Sequence, residues 1–397
     1  RSSAAVGVWV EVGSRAEAPE EAGLTHFVEH MVFKGTERRS ALDLARELDA
    51  VGGRMNAFTG KEQTCFHARV LDEHFERAAD LLTDMLLHPA FDKDELERER
   101  AVILQEIGMV EDQPEDYVHE VFQQTFWPAH PLGRPILGTA ESVSRHSRED
   151  LVRFMRLRYA PARVLVSVAG NVTHERVLRE IAPKLEALRA PDFPENVSPP
   201  AVAPARKVVE RDAEQAHVVL GVPGLARKHP DRFAWHVLDT VLGGSMSSRL
   251  FQEVREKRGL AYSVYSFAEA YLDGGAFGVY MGVAPETLAQ AVEVTAAELR
   301  RARSEPVDAR TLREAKDHFK GALMLALEGA DAWMNKIARD EVEHGRMVEP
   351  EELIAAVEAV TAEDVRRLAE ALLREDALVA CALGPISESD LPAIPLA

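Results

Sequence analysis

Cysteine is rare in this sequence, which contains only Cys65 and Cys381 among its 397 residues. Two thiols cannot form a disulfide framework, and they are too few for a zinc site made of cysteines alone. So low a count is typical of a reducing compartment, and we expect a cytoplasmic location. The chain also lacks an initiator methionine and begins at Arg1, directly before an apolar segment. We therefore expect a processed or truncated chain, in which a missing signal peptide has little weight.

Long apolar runs and an excess of positive charge are both absent. No apolar stretch approaches the roughly 18–20 residues that a membrane-spanning helix needs, so we predict no membrane association. The chain has 47 Lys and Arg against 66 Asp and Glu, which gives a formal net charge of −19. Such a protein lacks the basic surface that binds nucleic acid, and anionic membrane surfaces should repel it. Basic peptides are the partners that this charge favours.

The length and the prolines predict two domains. A chain of 397 residues is long enough for two domains or a few. Five prolines interrupt any regular structure near the middle of the chain, and they are Pro191, Pro194, Pro199, Pro200 and Pro204. We predict an extended linker over residues 191–205, between domains at 1–190 and 206–397.

The two halves resemble each other. The segment FVEHMV of the first half aligns with FAWHVL of the second at an offset of 206, and ELDAVGGRMNAFT aligns with EVREKRGLAYSVY at the same offset. A third pair, DKDELERERAVILQE and DARTLREAKDHFKGA, aligns at an offset of 216. Chance similarity between helices of this composition is the alternative. Three matches in the same order favour an internal duplication.

Each half alternates between strand and helix patterns. Val6, Val8, Val10 and Val12 recur at every second position, which predicts a strand with one buried face. We predict further strands at about 55–59, 64–70 and 164–169, and helices at about 23–34, 72–87 and 92–110, with another helix beginning near Ser40. The second half should repeat this order. The predicted fold class is therefore α+β, with two duplicated domains that each consist of a mostly antiparallel sheet covered by helices.

The segment THFVEHMVFKG carries the motif H-x-x-E-H, formed by His26, Glu29 and His30. On a helix, positions i and i+4 share a face, so the two imidazoles could bind one metal ion, with Glu29 close enough to act on a metal-bound water. Chance alone would give this pattern in about one of twenty such chains. A surface helix with two solvated histidines is thus the alternative. The apolar stripe of the helix and the preceding strand favour a metal site.

A third ligand must come from elsewhere, and the segment ERERAVILQEIGMVED offers Glu99 and Glu106. Seven residues make two helical turns, so both carboxylates lie within about 20° of one face. Both neighbour Val102 and Ile103, which suggests that this face points inward. An ordinary charged helix face is equally compatible with the pattern, and helix geometry does not decide whether Glu106 is a ligand.

These segments resemble the pitrilysin/insulinase family of zinc metallopeptidases, and most of all its short members related to the mitochondrial processing peptidase. GLTHFVEHMVFKGT matches the signature of the family, and Glu106 follows His30 by 76 positions, which is the usual distance. The similarity covers nearly the whole chain, including GGSMSSRLFQEVREKRGLAYSVYS in the second half. Short members usually have one more strand before the strand at 5–13, and we expect that edge to be missing here.

The resemblance implies a processing-peptidase-like metallohydrolase fold and a zinc ion held by His26, His30 and Glu106. It makes Glu29 the general base, and Glu99 a carboxylate that orients a ligand or tunes the bound water.

Residues for substrate follow from the same resemblance. Members of the family bind substrate as an added strand at a sheet edge, which implies that Asn56 and Ala57 contact the substrate backbone. In the second half, Arg255 and Tyr262 match the arginine/tyrosine pair of the family. Tyr262 would stabilise the tetrahedral oxyanion, and Arg255 would hold the substrate backbone.

The duplication indicates a single metal site. The offsets align the motif residues of the first half with Arg232, Trp235, His236 and Ala322 of the second. The second half thus lacks two ligands and the base, and we expect it to complete the substrate site. We predict that His236 is a packed core residue.

The predicted function is therefore that of a zinc endopeptidase that hydrolyses unfolded peptides or short polypeptides in a chamber. The main alternative is a non-catalytic peptide-binding or assembly subunit of a heterodimer, although inactive relatives lack the H-x-x-E-H residues that are present here. A purely structural metal site would not need Glu29. Family members close their chamber from two pairs of domains. We therefore expect a homodimer, or a heterodimer with a related subunit.

Overall fold

The computed structural model describes residues 2–186, 188–189 and 198–396. The chain forms two compact units, and each is built from three separate stretches. The first unit comprises Arg1–Met109, Arg134–Val197 and Leu325–Val348, and the second comprises Val110–Gly133, Ser198–Met324 and Glu349–Ala397. Of the predicted linker, residues 191–197 lie outside the described residues, and residues 198–204 have no regular secondary structure.

Strands and helices follow one another in both units, as the sequence patterns predict. The strands of the described chain are β1 (Ser3–Val10), β2 (Arg54–Thr59), β3 (Thr64–Leu71), β4 (Val164–Gly170), β5 (Ala205–Glu210), β6 (Ala216–Pro223), β7 (Ala261–Ala270), β8 (Gly275–Val283) and β9 (Val379–Gly384). The helices are α1 (Leu24–Val32), α2 (Ala41–Asp49), α3 (Phe75–Leu87), α4 (Lys93–Asp112), α5 (Pro114–Phe126), α6 (Ala140–Arg145), α7 (Arg148–Arg158), α8 (His174–Leu185), α9 (Arg232–Leu242), α10 (Leu288–Ser304), α11 (Ala309–Ala326), α12 (Ala330–His344), α13 (Pro350–Ala359) and α14 (Ala362–Leu372). No helix within these described ranges is long and apolar enough to cross a membrane.

The first unit contains a four-stranded sheet in the order β2-β3-β1-β4, and all of its strand pairs are antiparallel. Strand β1 lies in the interior of the sheet, with Val6 opposite Ala68 of β3 and Val168 of β4. Helices cover one face, where Val6 and Val8 pack in the core together with the apolar side of α1. This layered arrangement confirms the predicted α+β class with antiparallel sheets.

The second unit contains a five-stranded sheet in the order β5-β9-β6-β8-β7. Strand β5 pairs with β9 in parallel, whereas the other pairs are antiparallel. Strands β6, β8 and β7 occupy the places that β1, β3 and β2 hold in the first sheet, as a duplication requires. The described part of the first sheet has no counterpart of β5 beside β4.

One prediction for β1 is wrong. The alternating valines suggest a single buried face, but both faces of β1 are buried from Ala4 to Val10. The second face packs against α12, where Ala5 and Trp9 contact a cluster that includes Met334. Alternation of valine with small residues and tryptophan identifies the strand, but it does not tell a solvated face from one covered by a distant helix.

The covering helices are exchanged between the two halves. Helix α12 belongs to the first unit, and α5 belongs to the second, where Phe122 packs against the β6 and β9 side of the sheet. The offset of 216 that aligns the third repeated segment also aligns the first residues of these two helices, Pro114 and Ala330. They are equivalent elements of the duplication, and each one completes the unit of the other half.

A glycine in each sheet makes room for the exchanged helix. A Cβ atom on Gly7 of β1 would lie 2.9 Å from Sδ of Met334, and a Cβ atom on Gly221 of β6 would lie 2.3 Å from the ring of Phe122. Atoms of this size cannot approach so closely, so any larger residue would push the helix away from the sheet. With glycine at both positions, each helix can pack closely against the strands.

A buried ion pair with its hydrogen bonds stabilises the position of helix α12 in the first unit. Lys336 is only 1% exposed, and its ammonium group donates hydrogen bonds to the carboxylate of Asp340 and to the carbonyl oxygen of Val348. Asp340 also accepts a hydrogen bond of 3.0 Å from the backbone N–H of Val348. The three groups satisfy one another away from solvent, so the loss of one leaves an uncompensated charge.

We predict that Lys336→Met lowers the free energy of unfolding by about 3–5 kcal/mol, because Asp340 then remains buried and unpaired. Urea unfolding followed by tryptophan fluorescence measures this loss. The matched control is Arg69→Met, which breaks the exposed 3.1 Å pair of Arg69 with Asp331 of the same helix and should cost less than about 1 kcal/mol. Equal costs for the two variants would contradict the role of the buried pair.

Candidate metal centre

Helix α1 places the motif histidines on the side of the helix that faces α4. Leu24, Phe27, Val28, Met31 and Val32 bury the apolar stripe of α1. The imidazoles project beside that stripe, and their side chains are only 12% and 17% exposed. The N-terminus of α1 is capped from outside the helix. The buried carboxylate of Glu17 accepts hydrogen bonds from the backbone N–H groups of Gly23 and Thr25, at 3.0 and 2.8 Å.

Three ligand atoms converge at this place. Nε2 of His26 lies 3.2 Å from Nε2 of His30, and Oε2 of Glu106 lies 3.8 and 3.5 Å from these two nitrogens, respectively. Ligand atoms bound to one tetrahedral zinc ion at about 2.0–2.2 Å are about 3.4 Å apart. The spacing therefore fits one ion. This is the only such cluster of three histidine, cysteine or carboxylate ligands in the part of the chain that the structure describes.

The structure distinguishes the roles of Glu99 and Glu106, which the periodicity of the helix does not. Oε2 of Glu99 lies 3.0 Å from Nδ1 of His30, on the side of the ring away from Glu106. Its other oxygen, Oε1, lies 2.7 Å from the ammonium nitrogen of Lys34. Glu99 is placed to accept a proton carried on Nδ1 of His30, and in that tautomer the lone pair of Nε2 faces His26 and Glu106.

The sequence patterns do not predict a role for Lys34, because its segment FKGT is typical of the end of a helix. A signal was nevertheless available, since His26, His30 and Lys34 follow one another at intervals of four and lie on one face of the helix. Lys34 lies just past the end of α1 and still continues this row. The ammonium group of Lys34 therefore contacts the carboxylate of Glu99, and that carboxylate orients the ring of His30.

The environment keeps His26 neutral. Burial, followed by the nearby charge of His30, lowers the pKa of His26 to about 3. Only the neutral imidazole has a lone pair for a metal ion, so this shift suits a ligand. Nδ1 of His26 is buried without a hydrogen-bond partner among the described residues. The ring of His30 is thus fixed by a carboxylate, whereas that of His26 is held by packing.

Glu29 lies beside the cluster. Its Oε2 accepts a short hydrogen bond from the hydroxyl of Thr59, which is the last residue of β2. Burial raises the pKa of Glu29 above the ordinary value, although the bond from Thr59 and the charge of His30 act in the opposite direction. A carboxyl group with a raised pKa can take up a proton and release it again. Thr59 is a further residue that motif reasoning missed, although it ends the segment NAFT.

The residues predicted for substrate contact lie on the open edge of the first sheet. Asn56 and Ala57 belong to β2, which is an edge strand. The backbone N–H of Ala57 donates to the side-chain oxygen of Asn56 at 2.9 Å. An edge strand has N–H and C=O groups that no neighbouring strand satisfies, and an extended peptide can pair with them.

Arg255 and Tyr262 belong to the second unit. The guanidinium carbon of Arg255 lies 4.8 Å from the ring centre of Phe251 and 5.5 Å from that of Tyr262. Tyr262 is the second residue of the edge strand β7 and is 77% exposed. The two side chains are therefore neighbours, and their roles toward a substrate stay a prediction.

One expectation for the second unit is wrong. His236 is exposed and is not a core histidine. Its ring centre lies 6.0 Å from that of Phe319. The apolar neighbours of His236 in the sequence suggest a buried position, but they lie on the other side of α9.

Comparison with protein-family models finds two matches. Residues 1–140 match the model described as "Insulinase (Peptidase family M16)". Residues 145–319 match the model described as "Peptidase M16 inactive domain". The first match contains all three converging ligands together with Glu29 and Glu99.

Similar proteins include an uncharacterised zinc protease of Streptomyces coelicolor, 43% identical over 380 residues, with 94% of this chain and 83% of the relative covered. The uncharacterised zinc protease YmxG of Bacillus subtilis is 40% identical over 374 residues, which cover 94% of this chain and 91% of the relative. A solved protease structure from Helicobacter pylori has a TM-score of 0.88 at 22% identity and covers 97% of this chain and 94% of its own. That last likeness concerns the fold alone.

We predict that the chain binds one divalent metal ion and that Glu106→Gln weakens binding by at least about tenfold, because an amide oxygen replaces a charged ligand. Zinc is the ion to use, since two imidazoles and a carboxylate form a catalytic zinc donor set. Equilibrium dialysis with elemental analysis measures the affinity. The matched control is Glu97→Gln on the same helix, whose side chain is 66% exposed. Equal affinities of the two variants would show that Glu106 is not a ligand.

Proposed function

Because this chain belongs to the insulinase family of peptidases, peptidase family M16, we propose that it is a zinc-dependent endopeptidase. Its substrates are unfolded peptides or short polypeptides, bound as an added β-strand. The convergence of His26, His30 and Glu106, with Glu29 beside them, is the observation that carries this proposal.

In this proposal, His26, His30 and Glu106 hold the zinc ion. When bound there, the ion would supply Lewis-acid chemistry, which would polarise a substrate carbonyl group and make a water molecule more acidic. Glu99 acts through His30, whose ring it orients, and Lys34 neutralises the charge that Glu99 would otherwise bury. These two residues position a ligand and do not contact the substrate.

Glu29 is the general base. Its carboxylate accepts the proton of the attacking water and then delivers that proton to the leaving amine of the peptide. The hydroxyl of Thr59 holds the carboxylate in place, and burial favours its protonated form. No covalent intermediate is needed. Both cysteines are buried, and burial raises the pKa of both thiols, so neither is suited to be a nucleophile.

The substrate backbone pairs with β2 at Asn56 and Ala57. Tyr262 donates a hydrogen bond to the developing oxyanion, and Arg255 holds the substrate backbone. The exposed phenol of Tyr262 and the cation beside its ring support this assignment. A donor directed at charge that develops during the reaction lowers the barrier more than one that binds the substrate in its ground state.

A non-catalytic peptide-binding or assembly subunit is the second candidate. The match of residues 145–319 to a family model described as an inactive domain favours it. The first half, however, has a complete ligand set and a base. We further propose that the chain functions as a homodimer, because it contains both the metal set and the arginine/tyrosine pair; a heterodimer with a related subunit is the alternative.

We predict that Glu29→Gln keeps the zinc content of the parent chain and lowers kcat for an unstructured peptide by at least about 10²-fold, because the amide cannot accept the proton. Peptide digestion with and without a chelator, together with elemental analysis, measures both quantities. The control is Glu37→Gln, an exposed residue of the same unit. Digestion at the parent rate by the Glu29 variant would exclude the proposed base. A parent chain that binds zinc but cleaves no peptide would support the assembly subunit.

We predict that Tyr262→Phe lowers kcat by roughly 10²–10³-fold with little change in KM, as expected when a donor to an oxyanion is removed. Steady-state kinetics on the same peptide separates the two constants. Tyr117→Phe, which removes a phenol hydroxyl elsewhere in the second unit, is the control. A change confined to KM would assign Tyr262 to substrate binding alone.

A further inference from the structure

The second unit contains a polar cavity that the proposed peptidase chemistry does not use. The cavity has a volume of about 460 Å³ and lies between α9, α11 and the segment GGSMSSR. Thr240 of α9 and Ala315 of α11 are among its lining residues. All of the lining residues belong to the second unit.

The duplication explains why there is space at this place. The offsets of 206 and 216 align Thr240 with Lys34 and Ala315 with Glu99. In the first unit, the two charged side chains fill the corresponding position with a 2.7 Å ion pair. The second unit has shorter, uncharged side chains there. The second unit therefore has a cavity where the first unit has an ion pair.

Two side chains that line the cavity have buried polar atoms without a hydrogen bond in the described chain. The hydroxyl oxygen of Ser248 is buried and makes no hydrogen bond within the described chain, and the residue is only 3% exposed. Nη1 of the adjacent Arg249 is buried and equally without a hydrogen bond. Burial, followed by the charge of Arg301, lowers the pKa of Arg249, although the charges of Glu298, Glu305 and Asp308 act in the opposite direction. Buried donors of this kind normally have an acceptor.

The acidic side chains around the cavity are already occupied. Asp308 accepts from the backbone and hydroxyl of Thr311, and Glu314 accepts from Arg310 at 2.8 Å. Asp317 accepts from Arg313 at 3.0 Å.

Outside the cavity lining, Glu298 also lies in the electrostatic environment of Arg249. Its Oε2 is buried without a hydrogen bond and lies 3.8 Å from the guanidinium of Arg301. None of these carboxylates completes the hydrogen bonds of Arg249.

We propose that this cavity binds a small oxyanion, a carboxylate or a phosphate group, through the guanidinium of Arg249 and the hydroxyl of Ser248. A guanidinium presents parallel N–H groups that match two oxygens of such a group. The hydroxyls of Ser245 and Ser247 line the same cavity 3.1 Å apart, so one can donate to the other while the second donates to a bound oxygen. The site is independent of the metal centre and does not require the chain to be a peptidase.

Isothermal titration of the full chain with sodium phosphate and with sodium acetate, at constant chloride, tests the proposal. We use Glu106→Gln as the background, since anions also bind to metal ions. Binding of one equivalent is expected, with Arg249→Met weakening it by at least about tenfold, as for the loss of a charge-assisted hydrogen bond. Preference for one salt distinguishes phosphate from carboxylate as the natural group. Arg374→Met, which removes an exposed arginine paired with Asp376, should change nothing.

Two conservative variants keep the test decisive if Arg249→Met fails to fold. Arg249→Lys retains the charge but loses the paired N–H groups, and Ser248→Ala removes only the hydroxyl. Both should weaken the binding of the preferred anion. The proposal is overturned if neither anion binds at millimolar concentration, or if Arg249→Lys and Ser248→Ala both bind as tightly as the parent chain. In either case the cavity would hold only water.

Discussion

Two imidazole nitrogens and a carboxylate oxygen lie within 3.8 Å of one another, which is the spacing of ligands about one metal ion. Burial of His26 disfavours its protonated form, so this ring keeps a lone pair for such an ion. The burial of α1, its capping by Glu17 and the bond from Glu99 to His30 all serve to hold these atoms in place.

Lys34 and Glu99 show how the same framework supports different chemistry in its two halves. In the first unit they form an ion pair beside the candidate metal ligands. The ammonium group of Lys34 offsets the cost of burying the carboxylate of Glu99. In the second unit the aligned residues are Thr240 and Ala315, and the cavity there is also lined by Arg249, whose Nη1 has no hydrogen bond within the described chain. The two units thus differ at equivalent positions, with an ion pair beside the candidate metal site in one and a polar cavity in the other.

Much of the site could be predicted from the sequence, because the spacing of His26, Glu29 and His30 fixes their common helix face. The choice between Glu99 and Glu106 could not, since both lie on one side of α4 and only the directions of the two ring nitrogens separate them. Lys34 was missed because a glycine follows it and marks the end of a helix. The roles assigned to Arg255 and Tyr262 rest on resemblance, since no motif geometry connects them with the histidines.

The fold class was likewise predictable, whereas the pairing of helices with sheets was not. Amphipathic periodicity shows that α5 and α12 each bury a face, but it does not say which sheet receives that face. Only side-chain fit decides, as in the contacts of Met334 with Gly7 and of Phe122 with Gly221. The same ambiguity led to the prediction that β1 has a single buried face.

The position of α12 in the chain has a consequence for the order of events during synthesis on the ribosome. The metal ligands are complete once Glu106 has emerged, yet Trp9 and Cys65 stay uncovered until residues 330–338 have been translated. A nascent chain therefore carries every metal ligand long before the sheet behind them gains its second layer. The first unit is complete only when the chain has been translated as far as Val348, so its maturation waits for most of the second half.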